Sequence, residues 1–118
     1  MTNGVILTKK NEIKIPIEFS FADDFSNHRA LVGLDFSFGY IDETGKEIIP
    51  IQYISGRKFQ EGFAAVMNEQ LKWGFIDISG DMKVPFIYDH ASDILHGRAL
   101  VEKDGKMLII AVSDENLK

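Results

Sequence analysis

Residues Phe38-Gly39-Tyr40-Ile41-Asp42-Glu43-Thr44-Gly45 return 35 positions later as Trp73-Gly74-Phe75-Ile76-Asp77-Ile78-Ser79-Gly80. Aromatic, Gly, aromatic, Ile, Asp and Gly recur in register, and the same offset carries Pro50 to Pro85, Tyr53 to Tyr88, Gly62 to Gly97 and Val66 to Val101. A period of this length is the mark of stacked supersecondary units, none of which can bury its apolar face alone. The pattern extends both ways. Arg29-Ala30-Leu31-Val32 matches Arg98-Ala99-Leu100-Val101, with Phe63-Ala64-Ala65-Val66 between them, and Ile15-Pro16-Ile17-Glu18-Phe19 lies over Ile49-Pro50-Ile51-Gln52-Tyr53. This alignment puts Asn11 on Gly45 and Leu108 on Trp73. The units run about 4–37, 38–72 and 73–107, with 108–118 as a tail, in one domain over 1–118.

Each unit reads as antiparallel β-structure. Asp104-Gly105 sits between two apolar runs, the strongest short-range hairpin signal, because both central residues of a type I′ turn take positive φ. The corresponding loops are Asn68-Glu69-Gln70-Leu71 and Gly33-Leu34-Asp35-Phe36. Asp42-Glu43-Thr44-Gly45 and Asp77-Ile78-Ser79-Gly80 suit type I turns with Gly in the left-handed position. The next strand is stopped by Pro50, which has no N–H for a ladder. Apolar residues three apart (Tyr53, Gly56 and Phe59; Tyr88, Ala91 and Ile94; Phe19, Ala22 and Phe25) predict one or two turns of helix between units. The expected fold is therefore all-β: three antiparallel β-meander repeats of about 35 residues joined by short helical turns.

Composition narrows the function classes. The chain has 118 residues, 45% hydrophobic and 26% charged, which is globular. It has no cysteine, so thiol nucleophiles, thiolate metal sites and disulfide frameworks are excluded. A net charge of −5 without a Lys/Arg run disfavours nucleic acid. No segment approaches a membrane span, and Met1–Lys10 lacks the long apolar stretch of a signal peptide, so a cytoplasmic location and no membrane partner are expected.

The run Phe59-x-x-Gly62-x-Ala64-x-Val66, then Lys72-Trp73-Gly74-Phe75-Ile76-Asp77-x-x-Gly80, closing on an apolar-Pro and Tyr, resembles the bacterial WG-repeat (KWG-repeat) family over residues 4–110. Only the middle unit keeps Lys-Trp-Gly; the first has Ser37-Phe38-Gly39 and the last Met107-Leu108-Ile109, and Gly56 replaces a small Ala. The resemblance implies an all-β repeat module without assigned chemistry, of a kind thought to bind proteins or peptides. It carries over no catalytic residues.

Candidate chemistry is sparse. His90 and His96 lie near Asp89 and Asp93, but six residues is a poor spacing for two ligands on one face, and no metal or cofactor is expected. Asp42, Asp77 and Asp104 read as Asx-turn residues rather than calcium ligands, since no Asp-x-Asp-x-Asp loop accompanies them. No serine sits in a nucleophile elbow. Phe38, Trp73 and Phe75 are the candidate binding or packing aromatics: a platform for peptide or sugar, or inter-unit core. The expected function is a non-catalytic module for a protein or peptide, with a basic partner favoured by the charge. Its sharper form is an inhibitor or immunity-type partner. The alternatives are carbohydrate or small-ligand binding through exposed aromatics, or a structural spacer. The apolar terminal strands Val5-Ile6-Leu7 and Leu108-Ile109-Ile110 either pair and close the array or self-associate edge to edge.

Overall fold

In the computed structural model the described residues are 3–7 and 13–113, with side chains described from residue 19 on. Asn11 and the residues beyond Ser113 lie outside them. Among the described residues thirteen strands make four antiparallel sheets. A two-stranded sheet holds β1 (Asn3–Leu7) and β2 (Ile13–Glu18). The first full sheet is β3 (Phe21–Ser26), β4 (Arg29–Leu34), β5 (Ser37–Ile41) and β6 (Glu47–Tyr53). The second repeats it as β7 (Ser55–Gly56), β8 (Phe63–Met67), β9 (Trp73–Asp77) and β10 (Met82–Tyr88). The third has three strands, β11 (His90–Ala91), β12 (Arg98–Lys103) and β13 (Lys106–Ala111).

The all-β repeat holds, but the linking segments are strands, not helical turns. Ala22, Gly56 and Ala91 pair with Val32, Val66 and Val101. Further along, Ser26, Gln60 and Leu95 pair with Arg29, Phe63 and Arg98. Four steps on one strand thus oppose three on its partner, so each segment carries a one-residue bulge. The bulge turns a strand's period of two into the three-residue apolar spacing that imitates a helix. It also needs a reversal where a helix would need none, and Asn27-His28, Glu61-Gly62 and His96-Gly97 supply it, all with positive φ.

The sheets stack face on face. Leu31, Tyr40 and Ile49 of the first sheet meet Phe59, Ala64, Val66 and Ile76 of the second. The other face of the second sheet, with Ala65, Trp73, Phe75 and Val84, meets Ala91, Ile94, Ala99, Val101 and Val112 of the third. Burial on both faces is why β8 and β9 read as continuous apolar runs instead of alternating ones. The array is elongated, 46 × 26 × 20 Å. Among the described strands β1 pairs only with β2 and β13 only with β12, so the ends do not close on each other.

Side chains stitch successive units at equivalent places. The Asn27 carboxamide oxygen accepts from the Gly62 amide (2.8 Å), and one unit later the Glu61 carboxylate accepts from the His96 and Gly97 amides (2.8 Å each). Arg57 donates from Nε to the Ala91 carbonyl (3.0 Å) while its guanidinium lies 6.0 Å from the Trp73 ring centroid.

Candidate binding surface at the hairpin tips

The aromatic-Gly-aromatic run of β5 and β9 is explained by a close crossing. A Cβ on Gly39 would come within 2.5 Å of the Ile49 carbonyl oxygen, and one on Gly74 within 2.6 Å of the Val84 oxygen. The backbone of β6 or β10, bulged at its proline, passes over the glycine. The aromatics on either side then point into the stacked faces. Trp73 is 6% exposed and Phe75 fully buried, so neither ring offers a face to a ligand. Phe38 is half-buried and packs edge-on against Phe21, with centroids 6.0 Å apart.

Register also relocates one residue. Gly39, Gly74 and Leu108 are equivalent, because they face Val32, Val66 and Val101. The third unit's counterpart of Trp73 is therefore Met107, not Leu108. The constant offset of 35 hides this because the loop between β8 and β9 is longer than its counterparts: Met67 pairs with Trp73, whereas Leu34 pairs with Ser37 and Lys103 with Lys106.

The acidic turn residues divide into two kinds. The Asp42 carboxylate accepts from the Thr44 and Lys46 amides (2.9 and 3.1 Å), and Asp77 accepts from Ser79 and Asp81 (2.9 and 3.0 Å). Asn68 makes the same bonds to Gln70 and Lys72 (3.0 and 3.1 Å). Asp104 instead takes φ 53° beside Gly105 at φ 80°, the type I′ pair. The Thr44 hydroxyl bond, followed by the backbone amides, holds the Asp42 carboxyl below its ordinary value. A hydrogen bond from Lys72 does the same for Asp89. His90 stands edge-on to Trp73, with centroids 6.2 Å apart. Among the described residues no cluster of three or more His, Asp or Glu is placed to hold a metal ion.

What remains is a surface that composition did not reveal. The turn between β4 and β5 is Asp35-Phe36, with φ 53° and 66°, and Phe36 occupies the position of Gly105. A non-glycine side chain there costs about 1–2 kcal/mol, and a phenyl ring left in water adds the loss of its burial. Phe36 is 94% exposed. At the same end of the next unit Leu71 takes φ 63°, again largely exposed, where Gly45 and Gly80 stand in the related turns. Phe36 and Phe38 line a cavity of about 250 Å³ with Ser20, Gly33, Leu34 and Ser37. A second cavity of about 220 Å³ lies between Gln52, Tyr53 and the Asn68–Gln70 loop. Of the three candidate aromatics, Phe38 alone reaches this surface. Phe36 was legible: aligning Asp35 on Asp104 places it on a glycine position.

Stacked antiparallel sheets, joined by side-chain stitches and in two units crossed at a glycine, define a β-repeat protein built from units of one kind. The chain belongs to the WG containing repeat family, whose model matches residues 6–35, 38–71 and 73–106. Comparison with the curated proteins and with the solved structures gives no match. Among the described residues no helix is long and apolar enough to cross a membrane.

Proposed function

We propose that this chain is a non-catalytic module that binds a protein or peptide in the cytoplasm, with Phe36 as the anchor side chain. The observation that carries this reading is a phenyl ring 94% exposed in a left-handed turn position. It is unfavourable for the isolated fold on both counts. Exposed aromatics of this kind dominate interface energetics once a partner pocket desolvates them, and the adjoining cavity beside Phe38 receives a side chain in return. The net charge of −5 favours a basic partner through steering, as an inhibitor or immunity-type protein would use.

Phe36→Gly separates folding from binding, because glycine is the residue the turn prefers. Affinity capture from the host cytoplasm is run with the wild-type and F36G chains side by side, followed by titration of the purified captured protein. The expected result is a protein retained by the wild type and lost from F36G, which melts no lower. Equal capture by both overturns the reading.

A further inference from the structure

Each repeat brings one linker residue to the same point beside its own hairpin. The amides of Ser20, Ile54 and Asp89 donate to the carbonyls of Gly33, Met67 and Glu102 (2.9, 2.9 and 2.7 Å). In the third unit the Asp89 carboxylate then reaches the turn itself: Oδ2 accepts from the Asp104 amide (3.1 Å) and Oδ1 from the Lys72 ammonium. In the second unit Ile54 takes that place, and the longer turn satisfies its own amides, those of Gln70 and Lys72, through Asn68. The first unit does neither. Asp35 and Phe36 repeat the left-handed pair of Asp104 and Gly105, but Ser20 stands where Asp89 does and spends its hydroxyl on the Gly33 carbonyl (3.2 Å).

The Asp35 amide is left without an acceptor among the described residues. The space that Asp89 fills in the third unit is, in the first, the cavity of about 250 Å³ between Ser20, Asp35, Phe36 and Phe38. It is smaller than the roughly 300–1,000 Å³ of sites that enclose a whole small molecule, so it suits one residue of a longer chain. Charge selects the group. Asp89 and Asp104 are each attended by a lysine, Lys72 and Lys103. In the first unit Leu34 holds the Lys103 position, and no lysine or arginine lines the cavity, whose rim carries the Asp35 carboxylate. A second carboxylate is repelled there, and a neutral carbonyl oxygen is not. Neutral oxygens already serve backbone amides in this fold, as the Asn27 carboxamide does for Gly62 (2.8 Å).

We infer that this cavity seats one residue of an extended partner segment, whose main-chain carbonyl accepts from the Asp35 amide while its apolar side chain lies between Phe36 and Phe38. The inference rests on the reading of Phe36 as the anchor and names what the partner brings in return. Leu34, Phe36 and Phe38 are the apolar walls for that side chain. The backbone amide supplies the one directed bond, the division of labour by which extended peptides are held through main-chain groups and chosen through side-chain pockets. The Asp35 carboxylate at the rim favours a basic residue next to the seated one, in keeping with steering by the net charge of −5.

Ser20→Asn builds the missing acceptor into the chain and fills the cavity without touching Phe36, whereas Ser20→Ala leaves amide and cavity open. Amide NMR spectra of the isotope-labelled full chain are followed during titration with N-acetyl-leucine N′-methylamide, a single apolar residue with uncharged carbonyls. The Asp35 amide resonance is expected to shift saturably in the wild type and in S20A, with affinity lower by about tenfold or more in S20N. The Asp104 amide, already bonded to Asp89, should stay in place. An Asp35 amide that does not respond, that responds equally in S20N, or that responds more strongly to the N-acetyl-leucine anion or to methyl glucoside overturns the inference. Capture keeps its failure apart from that of the anchor: a protein held by the wild type, lost from F36G and held equally by S20N retains Phe36 as the anchor and overturns the seated carbonyl.

Discussion

The hydroxyl of Tyr40 occupies the space that a side chain on Gly56 would need. A Cβ there would lie 3.0 Å from the phenolic oxygen and 3.2 Å from the Leu31 Cδ1, while the hydroxyl donates to the Arg57 carbonyl. One unit later the equivalent pair is Phe75 and Ala91, both fully buried. The ring that lacks the hydroxyl stands with the residue that has the methyl. Gly56→Ala should destabilise the wild type by about 1 kcal/mol, and less in a Tyr40→Phe background, with a coupling above ~0.5 kcal/mol. Urea melts of the four chains measure it, and additive effects would show that the pairing is coincidental.

Leu71 should be replaceable with profit. It carries φ 63° in a turn whose counterparts use Gly45 and Gly80 at φ 91°. Leu71→Gly is expected to raise stability by roughly 0.5–1 kcal/mol, the relief of the left-handed strain less the added chain entropy of glycine. The reverse change, Gly80→Val, should lower it by more than ~1 kcal/mol, since its Cβ would also press on the Ile49 side chain at 3.1 Å. Thermal unfolding of both variants gives the sign.

Gly74→Ala tests the crossing. The new methyl would sit 2.6 Å from the Val84 oxygen and 2.9 Å from the Phe86 ring. The loss should reach the ~1–3 kcal/mol typical of overpacking, or exceed it. Leu108→Ala, at the equivalent but uncrossed position, should cost less than ~1.5 kcal/mol because the side chain is 43% exposed. Denaturant midpoints decide, and an indifferent G74A would mean that β10 lies further from β9 than described.

Acid should weaken the fold through its turns. Asp42 and Asp89 are held below the ordinary aspartate value when folded, by hydrogen bonds from Thr44 and from Lys72. The unfolded chain therefore binds more protons as pH falls through about 4, and their stabilisation, complete above that pH, is lost below it. Asp42→Asn should preserve the turn at neutral pH, because Asn68 makes the same pair of bonds. It should also flatten the acid limb in calorimetry between pH 5 and pH 2 (roughly the range over which such carboxylates protonate). An acid limb as steep as that of the wild type would exclude Asp42 as a contributor.

The repeat was legible in sequence because residue types recur at a fixed offset, and the Asp42 and Asp77 turns and the Asp104-Gly105 hairpin because each depends on residues a few positions apart. The linking strands were not. A one-residue bulge gives Tyr88, Ala91 and Ile94 a three-residue spacing that periodicity cannot tell from a helical turn. The fate of Trp73 was open for a different reason. Whether a ring is core or platform depends on the sheet stacked against it, and local pattern carries no record of that neighbour. A constant offset of 35 lays Leu108 on Trp73 and errs by one residue, since the longer β8–β9 loop shifts the register and no glycine at 108 marks the shift.

Backbone hydrogen bonds run within each sheet, while apolar faces and a few side-chain stitches join one sheet to the next. Tension along the 46 Å axis would therefore part the sheets at their faces and release the repeats in discrete lengths. Each release frees about 35 residues, or roughly 120 Å of slack. Pulled from its ends, this molecule should lengthen as a staircase rather than a slope.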